Sequence, residues 1–111
     1  MAQLIKYFQQ LFINQVKQIN KPGATVVVYG AGPIGLGAVA LARSAGASLI
    51  IVFDVIDERL AISRQMGADY TFNINDMDGS NPSAEVMKLT RGWGAEVQVE
   101  AAGAAPQTIP E

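Results

Sequence analysis

Apolar positions recur along this chain with two different periods, which predict alternating strands and helices. An amphipathic helix is predicted over residues 2–19, where apolar side chains are three and four residues apart. Four short runs then predict strands, of which the first two, rich in β-branched residues, have the pattern of buried parallel strands. The runs are 25–29, 48–53 followed by Asp54, 70–73 and 96–102.

Helices are predicted between these strands. The first follows a glycine turn and ends at Gly46, and the second covers 57–66 with Asp57 as its N-cap. Ser83 is expected to cap a third helix that runs to about Thr90. Strands and helices in this alternation are typical of a doubly wound, Rossmann-type α/β fold, and the right-handed crossover rule predicts a partial parallel sheet of order 3-2-1-4.

The 111 residues have room for one domain. We expect an N-terminal amphipathic helix over 1–20, a Rossmann-type half domain over 21–105 and a tail over 106–111. The uncharged stretch 22–42 is interrupted by proline and glycines, so it is not expected to span a membrane.

Charge and composition exclude several functions. The net charge of −2 and scattered basic residues disfavour nucleic acid as a partner. The sequence contains no cysteine and no histidine, which removes disulfides, thiolate and imidazole chemistry and the usual ligands of zinc. No catalytic and no metal-binding residues are therefore predicted, and the lack of cysteine agrees with a cytoplasmic location.

The most informative motif is Gly30-Ala-Gly32-Pro-Ile-Gly35, which follows a predicted strand and opens a predicted helix. Asp54 ends the next strand, about 20 residues further on, as in a dinucleotide-binding fingerprint. Gly30 permits a tight turn, Gly32 lets the backbone approach a pyrophosphate, and Gly35 allows close packing of helix and strand. Pro33 suits a first helical position, and the helix start attracts phosphate without basic side chains.

Asp54 is predicted to determine which dinucleotide binds. A carboxylate at the strand end can accept hydrogen bonds from both hydroxyls of the adenine ribose, whereas a 2′-phosphate would meet like charge there. No arginine follows Asp54 directly, since the next residues are Val55 and Ile56. The prediction is therefore NAD rather than NADP.

Four stretches resemble the coenzyme domain of zinc-dependent medium-chain alcohol and polyol dehydrogenases, such as sorbitol and threonine dehydrogenases. They are KPGATVVVYGAGPIG at 21–35, DVIDERL at 54–60, GAD at 67–69 and GWGAEVQVEAAG at 92–103. The resemblance implies that Arg59 also reaches the adenine ribose and that Val55 and Ala102 line the adenine pocket. The chain has no counterpart of the family's zinc-ligand domain and stops after the fourth strand, so it resembles a fragment that is inactive alone.

The resulting prediction is weak binding of the adenosine diphosphate part of NAD, without zinc, by a chain of oxidoreductase lineage. The exposed fourth strand, the N-terminal helix, or both are expected to form a homo-oligomer. Two alternatives remain: an assembly module with a vestigial nucleotide site, and a site for FAD or S-adenosylmethionine. Trp93, between two glycines, is expected to cover a strand end rather than to stack on adenine. The candidate cofactor-binding residues are Gly30, Gly32, Pro33, Ile34, Gly35, Asp54, Val55, Arg59 and Ala102.

Overall fold

The computed structural model describes residue 19 and residues 22–101. Its framework is a four-stranded parallel sheet in the order β3-β2-β1-β4, which confirms the predicted topology. The strands are β1 (Thr25–Tyr29), β2 (Leu49–Asp54), β3 (Tyr70–Asn73) and β4 (Val97–Glu100). Strands β2 and β3 lie on one side of β1, and β4 lies on the other. Doubly wound folds with such a reversal of strand order bind ligands there, at the carboxyl ends of the strands.

Three helices connect the strands. They are α1 (Pro33–Ser44), α2 (Asp57–Met66) and α3 (Pro82–Leu89), and a single 3₁₀ turn (Ile74–Asp76) follows β3. Helices α1 and α2 pack on one face of the sheet, and α3 contributes Val86 to the other. Because both faces are covered, the central strands β1 and β2 are apolar throughout their middle residues.

Alternation along the strands divides the core into two layers. Val26 and Val28 on β1 face the layer beneath α1 and α2, together with Val97 and Val99 on β4. Val27 and the ring of Phe53 face the layer beneath α3. The same alternation brings Asp54 to the α1 side of the sheet and Tyr29 to the opposite side, so the carboxyl edge carries functional groups on both faces.

Two predicted helix caps are wrong. Asp57 is the first residue of α2 rather than its cap, and its carboxylate accepts a hydrogen bond from the Asn73 side chain over 2.8 Å. Asn81 caps α3 in place of Ser83, because its side-chain oxygen accepts from the amide of Ala84 over 2.9 Å. In the first case a contact with the neighbouring strand takes the side chain, and in the second Pro82 supplies the first helical residue.

Some predictions concern the ends of the chain and fall outside the described residues. The predicted helix over 2–19 is one of them, except for Ile19, which is buried in the same core cluster as residues of α1 and α2. Strand β4 is shorter than the predicted 96–102, although the amide of Ala101 still donates to the carbonyl of Tyr29 over 2.8 Å. Ala102 and the tail are not described. Within the described segments, no helix has the length and apolar character that a membrane span requires.

Candidate functional site

A cleft of about 440 Å³ opens at the carboxyl ends of β1, β2 and β4. It lies where the strand order reverses, between the loop that leads into α1 and the end of β4. Its walls combine glycine backbone, apolar side chains, two carboxylates and one guanidinium. The lining residues are Tyr29, Gly30, Gly32, Phe53, Asp54, Val55, Ile56, Arg59, Ile74, Glu100 and Ala101.

The glycine loop at one side of this cleft requires glycine at two positions. Gly30 has a φ of 101°, which side chains rarely tolerate, and its amide donates to the carbonyl of Phe53 over 2.8 Å. At Gly35 a Cβ would lie 1.7 Å from the Gly30 carbonyl oxygen and 3.3 Å from the Val28 side chain. The start of α1 is thus pressed directly against the strand end that precedes it.

The first turn of α1 presents unpaired backbone donors. Gly32 is the N-cap, Pro33 is the first helical residue, and the first hydrogen bond runs from the amide of Leu36 to the Gly32 carbonyl over 2.8 Å. The amides of Ile34 and Gly35 therefore have no intrahelical partner. Unpaired amides and the positive end of the helix dipole favour an anionic group at this point.

The carboxylate of Asp54 holds the glycine loop in position. Its side chain is only 7% exposed, and its Oδ2 accepts a hydrogen bond from the Ala31 amide over 2.6 Å. Its Oδ1 accepts from the amides of Val55 and, over 3.0 Å, Ile56. An ionised carboxylate has about four acceptor positions, so these three bonds leave about one for a ligand. The sequence pattern identified Asp54, but not its bond to Ala31.

Arg59 projects from the first turn of α2 to the same loop. Its Nη1 lies 3.8 Å from the position that a Cβ would occupy at Gly32. The side chain is exposed and contributes the single cationic group among the residues that line the cleft. Space that the missing side chain of Gly32 leaves open is therefore bordered by a positive charge.

The rings of Tyr29 and Phe53 line the part of the cleft that lies on the α3 side of the sheet. Tyr29 stacks on Phe53 with ring centroids 5.5 Å apart, and Phe53 stacks on Phe72 at 5.3 Å. These residues are register partners on adjacent strands, and Glu100 is the register partner of Tyr29 on β4. Burial raises the pKa of the Tyr29 phenol above its ordinary 10.0, and the negative charge of Glu100 raises it further.

The structure brings five of the predicted site residues to the cleft: Gly30, Gly32, Asp54, Val55 and Arg59. Three others, Pro33, Ile34 and Gly35, form the adjoining helix start, and Ala102 lies outside the described residues.

Several lining residues were not predicted. The signal that could have found Tyr29 and Phe53 is their place at or next to the strand ends, in matching register. The residues missed are Tyr29, Phe53, Ile56, Ile74 and Ala101.

A second cavity, of about 480 Å³, lies at the opposite edge of the sheet, near the amino ends of β1 and β2. Trp93 and Arg91 are among its lining residues. The prediction that Trp93 covers a strand end is wrong, because its side chain is 91% exposed. The flanking residues Gly92 and Gly94 both have positive φ.

The strand order and the glycine loop at the switch point define a Rossmann-type α/β fold. Among described residues, no group of three or more acidic side chains is arranged to hold a metal ion, and the sequence has no cysteine or histidine. The residues present thus do not fit a zinc site.

The chain belongs to the zinc-binding dehydrogenase family, whose model matches residues 33–111. An alcohol dehydrogenase of Cupriavidus necator is 49% identical over 81 residues, which are 73% of this chain and 21% of that protein. An L-threonine 3-dehydrogenase of Bacillus subtilis is 42% identical over 91 residues, which are 82% of this chain and 25% of that protein. These relationships confirm the family resemblance carried by the sequence motifs.

Solved structures agree with the assignment. Alcohol dehydrogenase TADH from Thermus sp. ATN1 superposes with a TM-score of 0.73 at 34% identity, covering 84% of this chain and 26% of that one. Benzyl alcohol dehydrogenase from Acinetobacter calcoaceticus gives 0.71 at 35% identity, covering 86% and 24%. The chain thus spans about a quarter of the length of these relatives.

Proposed function

We propose that this chain binds the adenosine diphosphate part of NAD in the cleft at the carboxyl ends of β1, β2 and β4. The observation that carries the proposal is the bond between the Asp54 carboxylate and the Ala31 amide, which joins the predicted ribose site to the phosphate loop. The pyrophosphate binds at the start of α1, and one ribose hydroxyl donates a hydrogen bond to the acceptor position that remains on Asp54. The base lies against the apolar side chains of Val55 and Ile56.

Isothermal titration calorimetry with ADP, NAD, NADP, FAD and S-adenosylmethionine tests this assignment. Because only part of a dinucleotide is contacted, we expect a Kd for ADP and NAD on the order of 0.1 to 1 mM. NADP binds more weakly, since its 2′-phosphate meets the Asp54 carboxylate. Tighter binding of FAD or S-adenosylmethionine would favour a different cofactor, and no binding of any of these ligands would favour a non-enzymatic assembly module.

Asp54→Asn provides the matched test of dinucleotide preference. Loss of the negative charge is expected to reduce the preference for NAD over NADP. The control is Asp69→Asn at the other edge of the sheet, because the Asp69 carboxylate also accepts a backbone amide, that of Ile50, over 2.8 Å. If Asp54→Asn left the NAD-to-NADP ratio as it is in Asp69→Asn, the role of Asp54 would be refuted.

The oxidoreductase activity of longer relatives is not expected from this chain alone. It supplies no cysteine or histidine to hold a catalytic zinc ion. We expect no NADH formation from alcohols or polyols, with or without added zinc. Zinc-stimulated NADH formation by the purified chain would contradict this.

We also propose self-association and a cytoplasmic location. Strand β4 pairs with β1 and with no second strand in the described part of the chain, so one edge of its backbone is open to pairing. A homo-oligomer could form through this edge, through the predicted N-terminal helix, or through both. Light scattering at micromolar concentration is expected to give a mass above that of one chain, and a monomer would refute the self-association.

A further inference from the structure

Trp93 is 91% exposed, although hydrogen bonds hold the turn that carries it. Its amide donates to the carbonyl of Thr90 over 3.2 Å, and the Gly94 amide donates to the Thr90 hydroxyl over 2.8 Å. The same hydroxyl donates to the carbonyl of Val86 in α3 over 2.7 Å. The turn is thus tied to the helix before it, and it keeps a large apolar ring in water, which is unfavourable unless another surface covers the ring.

Arg91, two residues before this tryptophan, has a strained backbone. Its φ of 56° lies in the left-handed region, which residues other than glycine rarely adopt. Its side chain is exposed, and its guanidinium makes no hydrogen bond or ion pair with any of the described residues, whereas Arg43 pairs with Asp69 over 2.8 Å. Backbone strain of this kind is concentrated at functional positions, and here it accompanies a positive charge whose donors are available to a partner.

Both side chains border the cavity of about 480 Å³ at the amino ends of β1 and β2. Leu49 and Leu89 add apolar lining to it. Cavities of roughly 300 to 1,000 Å³ enclose compact ligands in proteins, so this one has room for an aromatic side chain. A protruding ring and an open cavity therefore lie next to each other at one end of the sheet.

A surface that carries both a ring and a cavity is complementary to a second copy of itself. In a twofold dimer the same patch of each chain meets the other, so the ring of each copy can enter the cavity of its partner. The guanidinium at the cavity wall suits an inserted indole, because a cation is attracted to the face of an aromatic ring. A small anion would pair with Arg91 but would leave the indole of Trp93 in water.

The composition of this surface agrees with a contact between proteins. Tryptophan, methionine and arginine are enriched in protein interfaces. Met87 belongs to the same surface, since it is 47% exposed and its sulfur lies 3.6 Å from the position that a Cβ would occupy at Gly94. The apolar area that a second copy would cover thus extends beyond the indole.

We propose that two copies of this chain associate about a twofold axis, each placing Trp93 in the cavity of the other, against Arg91 and the two leucines. This inference rests on the self-association proposed above, and it names a surface for it other than the β4 edge and the N-terminal helix. The surface is at the amino edge of the sheet, whereas the nucleotide cleft is at the carboxyl edge. The cleft therefore stays open in such a dimer.

Trp93 is the single tryptophan of the sequence, so its fluorescence reports on this surface alone. The emission maximum of the unaltered chain is expected to move to shorter wavelength as the protein concentration rises from micromolar to millimolar, because the indole leaves water. The mass measured by light scattering is expected to rise over the same range. Trp93→Ala is expected to weaken the association roughly a hundredfold, since the symmetry removes two rings at once and each buried interface tryptophan is typically worth tenfold or more.

Three further variants separate the parts of the contact. Trp93→Phe is expected to retain part of the association, because a smaller ring still enters the cavity. Arg91→Gln is expected to weaken it roughly tenfold, since the cation at the ring face is lost. Ile62→Ala is the control, because Ile62 is an apolar residue of α2 that is 44% exposed but does not line the cavity, and it is expected to leave the association unchanged.

Two results overturn this surface while self-association stands. One is that Trp93→Ala associates as tightly as the unaltered chain does. The other is that the mass rises with concentration while the emission of Trp93 stays that of an indole in water. A unaltered chain that is monomeric at every concentration refutes the self-association and this surface with it. Circular dichroism melts of each variant establish that the compared proteins are folded.

Discussion

Gly35→Ala tests whether the start of α1 depends on direct contact with the end of β1. An alanine Cβ there would lie 1.7 Å from the Gly30 carbonyl oxygen and 2.8 Å from the Gly30 carbonyl carbon. Ordinary van der Waals contact begins at 3.4 Å, so the alanine Cβ and the Gly30 carbonyl oxygen would have to move apart from 1.7 Å to at least 3.4 Å. Neither atom belongs to a flexible side chain, so the loop or the helix must move.

The expected change in the free energy of unfolding is the sum of two opposing effects. Overpacking of a tight contact costs typically 1–3 kcal/mol, and a backbone clash belongs at the upper end of that range. The better helix propensity of alanine returns about 1 kcal/mol. The free energy of unfolding therefore falls by about 2 kcal/mol, and for a domain of this size the Tm falls by roughly 8–16 °C.

Gly37→Ala is the matched control, because it is in the same helix and its Cβ would meet nothing within 4 Å. Its helix propensity is expected to raise the free energy of unfolding by up to about 1 kcal/mol. Thermal and urea denaturation, followed by circular dichroism, measure both variants, and ADP binding is measured where both are folded. If Gly35→Ala were as stable as Gly37→Ala and bound ADP equally well, the close contact at the glycine loop would be disproved.

Two further predictions concern single side chains. Asn81→Ala is expected to lower the free energy of unfolding by about 1 kcal/mol, as loss of an N-cap does. Ser83→Ala is expected to change it by less than about 0.5 kcal/mol. Equal urea midpoints for the two variants would contradict the assignment of Asn81 as the N-cap of α3. The phenol of Tyr29 is expected to ionise above pH 10.0, so its contribution to stability is complete below that pH and is lost as the pH rises toward the raised pKa. In an absorbance titration, Tyr29→Phe is expected to remove this late ionisation. Glu100→Gln is expected to lower the pKa of Tyr29 only in part, because burial is the larger cause of the raised pKa. A titration of the unaltered chain without a late tyrosine ionisation would contradict this prediction.

The sequence alone predicted the sheet because its signals were redundant. Strands β1 and β2 were apolar runs, β4 alternated apolar and polar residues, and the handedness of crossovers then allowed the order to be predicted. The glycine spacing was informative for the same reason, because each glycine is required on separate steric grounds. Gly30 has a positive φ, and Gly35 lies too close to the Gly30 carbonyl to carry a Cβ.

Contacts between distant side chains could not be predicted in this way. Asp54 was identified by its spacing, but its bond to Ala31 depends on how the loop and β2 approach each other. The cap of α2 was wrong for a related reason, because the Asp57 side chain binds Asn73 on another strand. Tertiary packing, rather than local sequence, decides which of several nearby polar residues caps a helix and which aromatic residue lines a cleft.

The most direct test of nucleotide binding at the carboxyl edge is an amide chemical-shift map recorded during titration with ADP. A ¹⁵N-labelled chain is expected to show its largest shifts at Gly32, Asp54 and Val55, which surround the cleft. Shifts concentrated instead at residues such as Leu89 and Arg91, in the cavity at the opposite edge, would contradict the proposed site, and a spectrum unchanged at millimolar ADP would contradict nucleotide binding itself.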